Sequence, residues 1–61
     1  MKVREIIKII EADGWQLQYF RGSHRQFEHP TKPGKVTIPG KPSSDLHPKM
    51  KSNIMRQAGL K

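Results

Sequence analysis

The chain contains no cysteine, which removes disulfides and every thiolate-based zinc site. It also lacks a long apolar run. The densest stretch, Ile6-Ile7 and Ile9-Ile10, is interrupted by Lys8, so no segment has the length and apolarity to span a membrane. Carboxylates are scarce, with five Asp and Glu in 61 residues, which leaves few ligands for magnesium or calcium. The three histidines, at positions 24, 29 and 47, follow no zinc-ligand spacing. There is no Ser/His/Asp or Cys/His constellation and no phosphate-cradling glycine loop. No metal and no other cofactor is expected. With so few residues, one domain (1–61) is expected, holding a small core and a thin margin of stability. A small disulfide-free chain without a signal peptide is expected to be cytoplasmic.

What is abundant is positive charge. Twelve Lys and Arg give a net charge of +7, and the charge is unevenly placed. Residues 1–20 are balanced, with Lys2, Arg4 and Lys8 against Glu5, Glu11 and Asp13; the whole excess lies in residues 21–61. A field of one sign on part of a small protein attracts polyanions. Nucleic acid is the expected partner, ahead of general basicity. A membrane surface fits less well, because interfacial helices are Lys/Arg-rich and the clearly amphipathic segment here is the balanced one.

Val3, Ile6, Ile7 and Ile10 fall on one helical stripe, which Asp13-Gly14-Trp15 ends. At the other end of the chain, Pro48 suits a first helical position with His47 as cap. Ile54, Met55 and Ala58 share a face, and Gly59-Leu60 repeats the stop signal. The pattern predicts helices over about residues 2–13 and 47–58, with the Lys51 stem lying along the core. Three short strands are expected between them. Opposed residues share a face, so Leu17 and Phe27 meet if Arg21-Gly22-Ser23 is a three-residue loop, which sets Phe20 opposite His24. The second hairpin sets Phe27 opposite Val36 and Glu28 opposite Lys35, a favourable charge pair. The predicted fold is α+β, an α-β-β-β-α order with a three-stranded antiparallel sheet and both helices on one face. The expected core is Val3, Ile6, Ile7, Ile10, Leu17, Phe27, Val36, Ile38, Ile54 and Ala58. The opposite, open face is expected to carry Gln16, Gln18, Phe20, His24, Gln26, Glu28, Lys35 and Thr37.

On that face His24 is the candidate catalytic residue. A neutral imidazole takes a proton from a ribose 2′-OH or returns one to a leaving 5′-oxygen, and neighbouring cations hold the scissile phosphate. The plainer alternative is an exposed strand histidine with no such role. His29 before Pro30 and His47 before Pro48 are expected to serve as turn and cap residues. Phe20 is a candidate for stacking on a base, against the alternative that it covers its neighbour. The expected RNA contacts are Arg21, Ser23 and Arg25 around the histidine, with Lys35 and Lys41, which together with Lys32, Lys49 and Arg56 could form a phosphate-binding rim.

Asp13-Gly14-Trp15, Arg21-Gly22-Ser23-His24, His29-Pro30, Val36-Thr37-Ile38-Pro39 and Gln57-Ala58-Gly59-Leu60 together resemble the HicA family. These are the YcfA-like toxins of bacterial and archaeal HicAB toxin–antitoxin systems. The resemblance covers nearly the whole chain. It implies a double-stranded-RNA-binding-like fold, metal-independent mRNA interferase activity with His24 as the catalytic histidine, and a HicB-type antitoxin that covers the active site. One departure is Lys49-Met50-Lys51, where relatives often carry Gly-Thr-Leu or Lys-Thr-Leu. Two other classes remain open: a basic RNA-binding module that does not cut, and a module that docks an acidic protein.

Overall fold

The computed structural model describes residues 1–60. The elements are α1 (Val3–Ala12), β1 (Gln16–Arg21), β2 (His24–Glu28), β3 (Lys35–Ile38) and α2 (Pro48–Gln57). The strands form one antiparallel sheet in the order β1-β2-β3. The fold is therefore the expected α-β-β-β-α arrangement.

Both helices end as their sequences predict. Gly14 takes a φ of +108°, a conformation that a side chain would oppose. The reversal lets Trp15 N–H reach the Ile10 carbonyl at 3.1 Å and Gly14 N–H reach Glu11 at 3.0 Å. Gly59 and Leu60 repeat the pattern at the end of α2, on Arg56 and Met55. At the start of α2 the His47 side chain accepts the Lys49 N–H, with Pro48 next to it. The start of α1 has no side-chain cap. The long loop supplies its acceptors instead: Val3 N–H donates to Ser44 at 2.9 Å and Arg4 N–H to Pro42 at 3.0 Å.

The core gathers Val3, Ile6 and Ile10 of α1, Trp15, Phe27, Val36 and Ile38 of the sheet side, Leu46, and Ile54 and Ala58 of α2. Phe27, Val36 and Ile38 lie on one face of the sheet, so both helices cover that face. Three details differ from expectation. Leu17 stays 41% exposed, because β1 is an edge strand and α2 packs over β3 at the opposite edge. Ile7 flanks the core instead of entering it. Leu46, absent from the expected core, is the apolar side chain that enters it beside the start of α2, held by its N–H on the Met1 carbonyl at 2.8 Å.

The first hairpin also differs. Arg21 pairs with His24, so the turn is only Gly22-Ser23. Gly22 has φ +61° and no described non-glycine residue has positive φ, the sign pattern of a type II′ turn, whose twist suits a hairpin. Leu17 still pairs with Phe27, because a bulge at Gln18 supplies the extra residue that the longer loop was expected to supply. The bulge reverses the facing of everything after it. Phe20 therefore stands opposite Arg25, not His24. The second hairpin has the expected register, Phe27 with Val36 and Glu28 with Lys35.

Candidate functional site

Pairing and alternation together map the open face. One row runs Gln16–Glu28–Lys35, the next Tyr19–Gln26–Thr37, and Arg21 with His24 closes the hairpin end. Gln18 and Phe20, expected here, have given their places to Tyr19 and Arg21. Phe20 lies on the other face, where the Arg25 guanidinium sits 5.3 Å from its ring centroid.

The three histidines have different roles. His29 is engaged at both nitrogens: Nε2 donates to the Asp13 carbonyl at 2.8 Å, and Nδ1 accepts from the N–H of Thr31 and of Lys32, each at 3.0 Å. Its ring also meets Trp15 edge-on at 5.2 Å. His47 caps α2. The His24 side chain is exposed and makes no hydrogen bond or ion pair among the described residues. Its imidazole is free for a ligand. Arg21 directly opposite is likewise exposed, with no ion pair among the described residues.

The other expected contacts are dispersed. Ser23 lies in the turn beside His24, exposed. Lys41 is exposed in the loop that leaves β3 at the hairpin end. Arg25 is half-buried on the opposite face and donates to the Gly40 carbonyl at 2.7 Å. Lys35 is at the far end of the sheet, 4.0 Å from the Glu28 carboxylate. The arrangement thus brings together Arg21, Ser23 and His24, sets Lys41 at the same end, and separates Arg25 and Lys35 from them. Gln26 and Thr37, expected on this face, are joined by a 2.7 Å hydrogen bond from the Thr37 hydroxyl to Gln26 Oε1; Tyr19 was not foreseen there. A two-residue Gly-Ser turn is itself a hairpin signal, and counting it as such would have placed Tyr19 on this face.

Two carboxyls are perturbed. The Lys32 ammonium bonds Asp13 and holds its carboxyl below the usual range, against an opposing effect of burial. Lys2, 2.9 Å from Asp45, does the same there. Both lie away from His24 and belong to the scaffold. No three metal-ligating side chains come together among the described residues, and no helix described is long and apolar enough to cross a membrane.

A free histidine opposite a free arginine, on the uncovered side of a sheet backed by two helices, defines a small cationic α+β domain with a solvent-facing site. Its motifs also have physical explanations: Asp13-Gly14-Trp15, His29-Pro30 and Ala58-Gly59 build the scaffold, while Gly22-Ser23-His24 presents the imidazole. The chain belongs to the HicA toxin family, since residues 3–60 match the model of the HicA toxin of bacterial toxin–antitoxin systems. It is a toxin of such a system, and membership implies an antitoxin partner. No curated protein matches the chain.

Proposed function

We propose that this toxin is a metal-independent endoribonuclease acting on mRNA in the cytoplasm, with His24 as its general acid/base. The observation that carries this reading is that His29 and His47 have structural partners, whereas His24 alone has both ring nitrogens free among the described residues. In the reaction, His24 takes the proton of a ribose 2′-OH as that oxygen attacks the adjacent phosphorus. The bond from phosphorus to the 5′-oxygen breaks, and the proton passes from the imidazolium to the leaving oxygen, directly or through water. The products are a 2′,3′-cyclic phosphate and a 5′-hydroxyl. Arg21, across the strand pair, offsets the charge on the phosphorane oxygens. Ser23 and Lys41, exposed at the same end of the sheet, would take the flanking phosphates, and Lys35 and Arg25 contribute to the general field.

A HicB-type antitoxin, acidic where this surface is basic, would inhibit by covering His24 and Arg21. The test is cleavage of RNA by this chain and not by its His24→Ala variant, with cyclic phosphate at the new 3′ ends. If intact RNA is bound and never cut, the chain is a binding module.

A further inference from the structure

The bulge at Gln18 turns one more side chain toward His24. Tyr19 stands directly across from Gln26 and diagonal to His24 on the same face, a diagonal spacing of about 7–8 Å in such a sheet. It is 46% exposed, and no ring contact or hydrogen bond engages its side chain among the described residues. The other aromatic side chains are committed elsewhere. Trp15 and Phe27 are buried, and Phe20 lies on the opposite face against Arg25. Tyr19 is thus the aromatic ring left open beside the free histidine.

We propose that Tyr19 is the platform on which a nucleobase next to the scissile phosphate stacks, so that the site takes single-stranded RNA. This deepens the ribonuclease reading of the His24 face and rests on it. Three observations converge. An exposed ring on a sheet face suits an unstacked base, because every base presents a π-face and stacking tolerates any sequence. The neighbouring Gln26 has its carbonyl oxygen satisfied by the Thr37 hydroxyl, which leaves its amide N–H groups to donate to the edge of the stacked base or its sugar. An A-form duplex offers neither group a base, because its bases remain stacked inside. The exposed side of α1 carries Arg4 and Lys8 interleaved with Glu5 and Glu11, so it offers no cationic ridge to duplex phosphates. Cleavage by attack of the 2′-oxygen also requires the in-line geometry that a flexible strand reaches and a regular duplex resists.

The experiment measures binding separately from cutting. A short single-stranded RNA, 2′-O-methylated throughout so that the 2′-oxygen cannot attack, is titrated against the full chain by fluorescence anisotropy. Tyr19→Ala should weaken binding about 5- to 150-fold, the range for losing one stacked base, while Tyr19→Phe stays within about twofold because the ring remains. On the same strand carrying abasic sites, the native chain and Tyr19→Ala should bind alike. Circular dichroism should show both variants folded, since Tyr19 is outside the core. Equal affinity of Tyr19→Ala and the native chain would overturn the proposal. So would a loss in Tyr19→Phe as large as in Tyr19→Ala, which would assign the hydroxyl and not the ring. Because the strand is uncleavable, failure here leaves the His24 reading standing, and failure of cleavage elsewhere leaves this result intact.

Discussion

His29 Nε2 donates to the backbone carbonyl of Asp13 at 2.8 Å, while Nδ1 of the same ring accepts two backbone N–H groups. These bonds use the tautomer that carries its proton on Nε2 and leaves Nδ1 as the acceptor. Through this contact the end of α1 is tied to the β2–β3 loop. Lys32 of that loop extends the tie by bonding both the Asp13 carboxylate and the Ala58 carbonyl, which Trp15 Nε1 also reaches. Two helix ends and a hairpin thus converge on a few polar contacts beside the buried Trp15.

His29→Ala should lower stability by about 1–3 kcal/mol, because it strands donors and an acceptor that are partly shielded from water. In a domain of this size each kcal/mol is worth about 4–8 °C in Tm. Gly14→Ala should damage the same place, since its new Cβ would lie 2.7 Å from His29 Nε2 in addition to the strain of φ +108°. Gly34→Ala, at φ +83° with open space around it, is the control that carries backbone strain alone. Thermal melts should rank Gly14→Ala below Gly34→Ala. Equal melting temperatures would remove His29 from the account of this junction.

The Asp13–Lys32 pair makes stability fall in acid. Asp13 has a carboxyl pKa lowered in the folded chain, chiefly by its hydrogen bond from Lys32. Its contribution is therefore present above the unfolded value of about 3.9 and is lost as pH falls through the lowered one. Asp13→Asn should reduce Tm near neutrality and flatten its decline between about pH 5 and about pH 2. An unchanged acid limb would mean that the pair contributes nothing to folding.

Arg21 and Arg25 should separate cleanly when each is replaced by Ala. Arg21 faces the solvent opposite His24, so Arg21→Ala should weaken binding to uncleavable single-stranded RNA and reduce the salt slope by about 0.7, with Tm unchanged. Arg25 holds the Gly40 carbonyl and covers Phe20. Arg25→Ala should lower Tm by several degrees, at about 4–8 °C per kcal/mol, and change the salt slope less than Arg21→Ala. Anisotropy titrations across a salt series, with melts of the same samples, check both. The reverse ranking would contradict the assignment of faces.

Much of the scaffold was legible in the sequence. The 3.6-residue stripe of Val3, Ile6 and Ile10, both glycine stop signals, the His47-Pro48 start and the Glu28–Lys35 pairing all appear as the residues predict. The first hairpin was less so. Matching Leu17 with Phe27 requires one extra residue, and an odd loop or an even turn with a bulge meets that requirement equally. The bulge falls at Gln18, where no glycine marks it, and it decides whether Phe20 or Tyr19 looks toward His24. Leu46 was also hidden, as a lone apolar residue in a polar loop with no periodicity to reveal it. The place of His24 on the open face was legible because it follows the turn directly, on a strand whose own alternation no bulge disturbs.

The central claim is tested most directly by His24→Ala in a cleavage assay on single-stranded RNA, with EDTA present and absent. The rate should fall by about 10²–10⁴-fold, while Tm and affinity for the uncleavable strand stay near native, since the His24 side chain is exposed and makes no hydrogen bond or ion pair among the described residues. A strand with 2′-deoxyribose at the scissile position should bind and resist cutting, and EDTA should leave the native rate unchanged. A His24→Ala chain that cuts at the native rate, or a native activity that EDTA abolishes, would contradict the account.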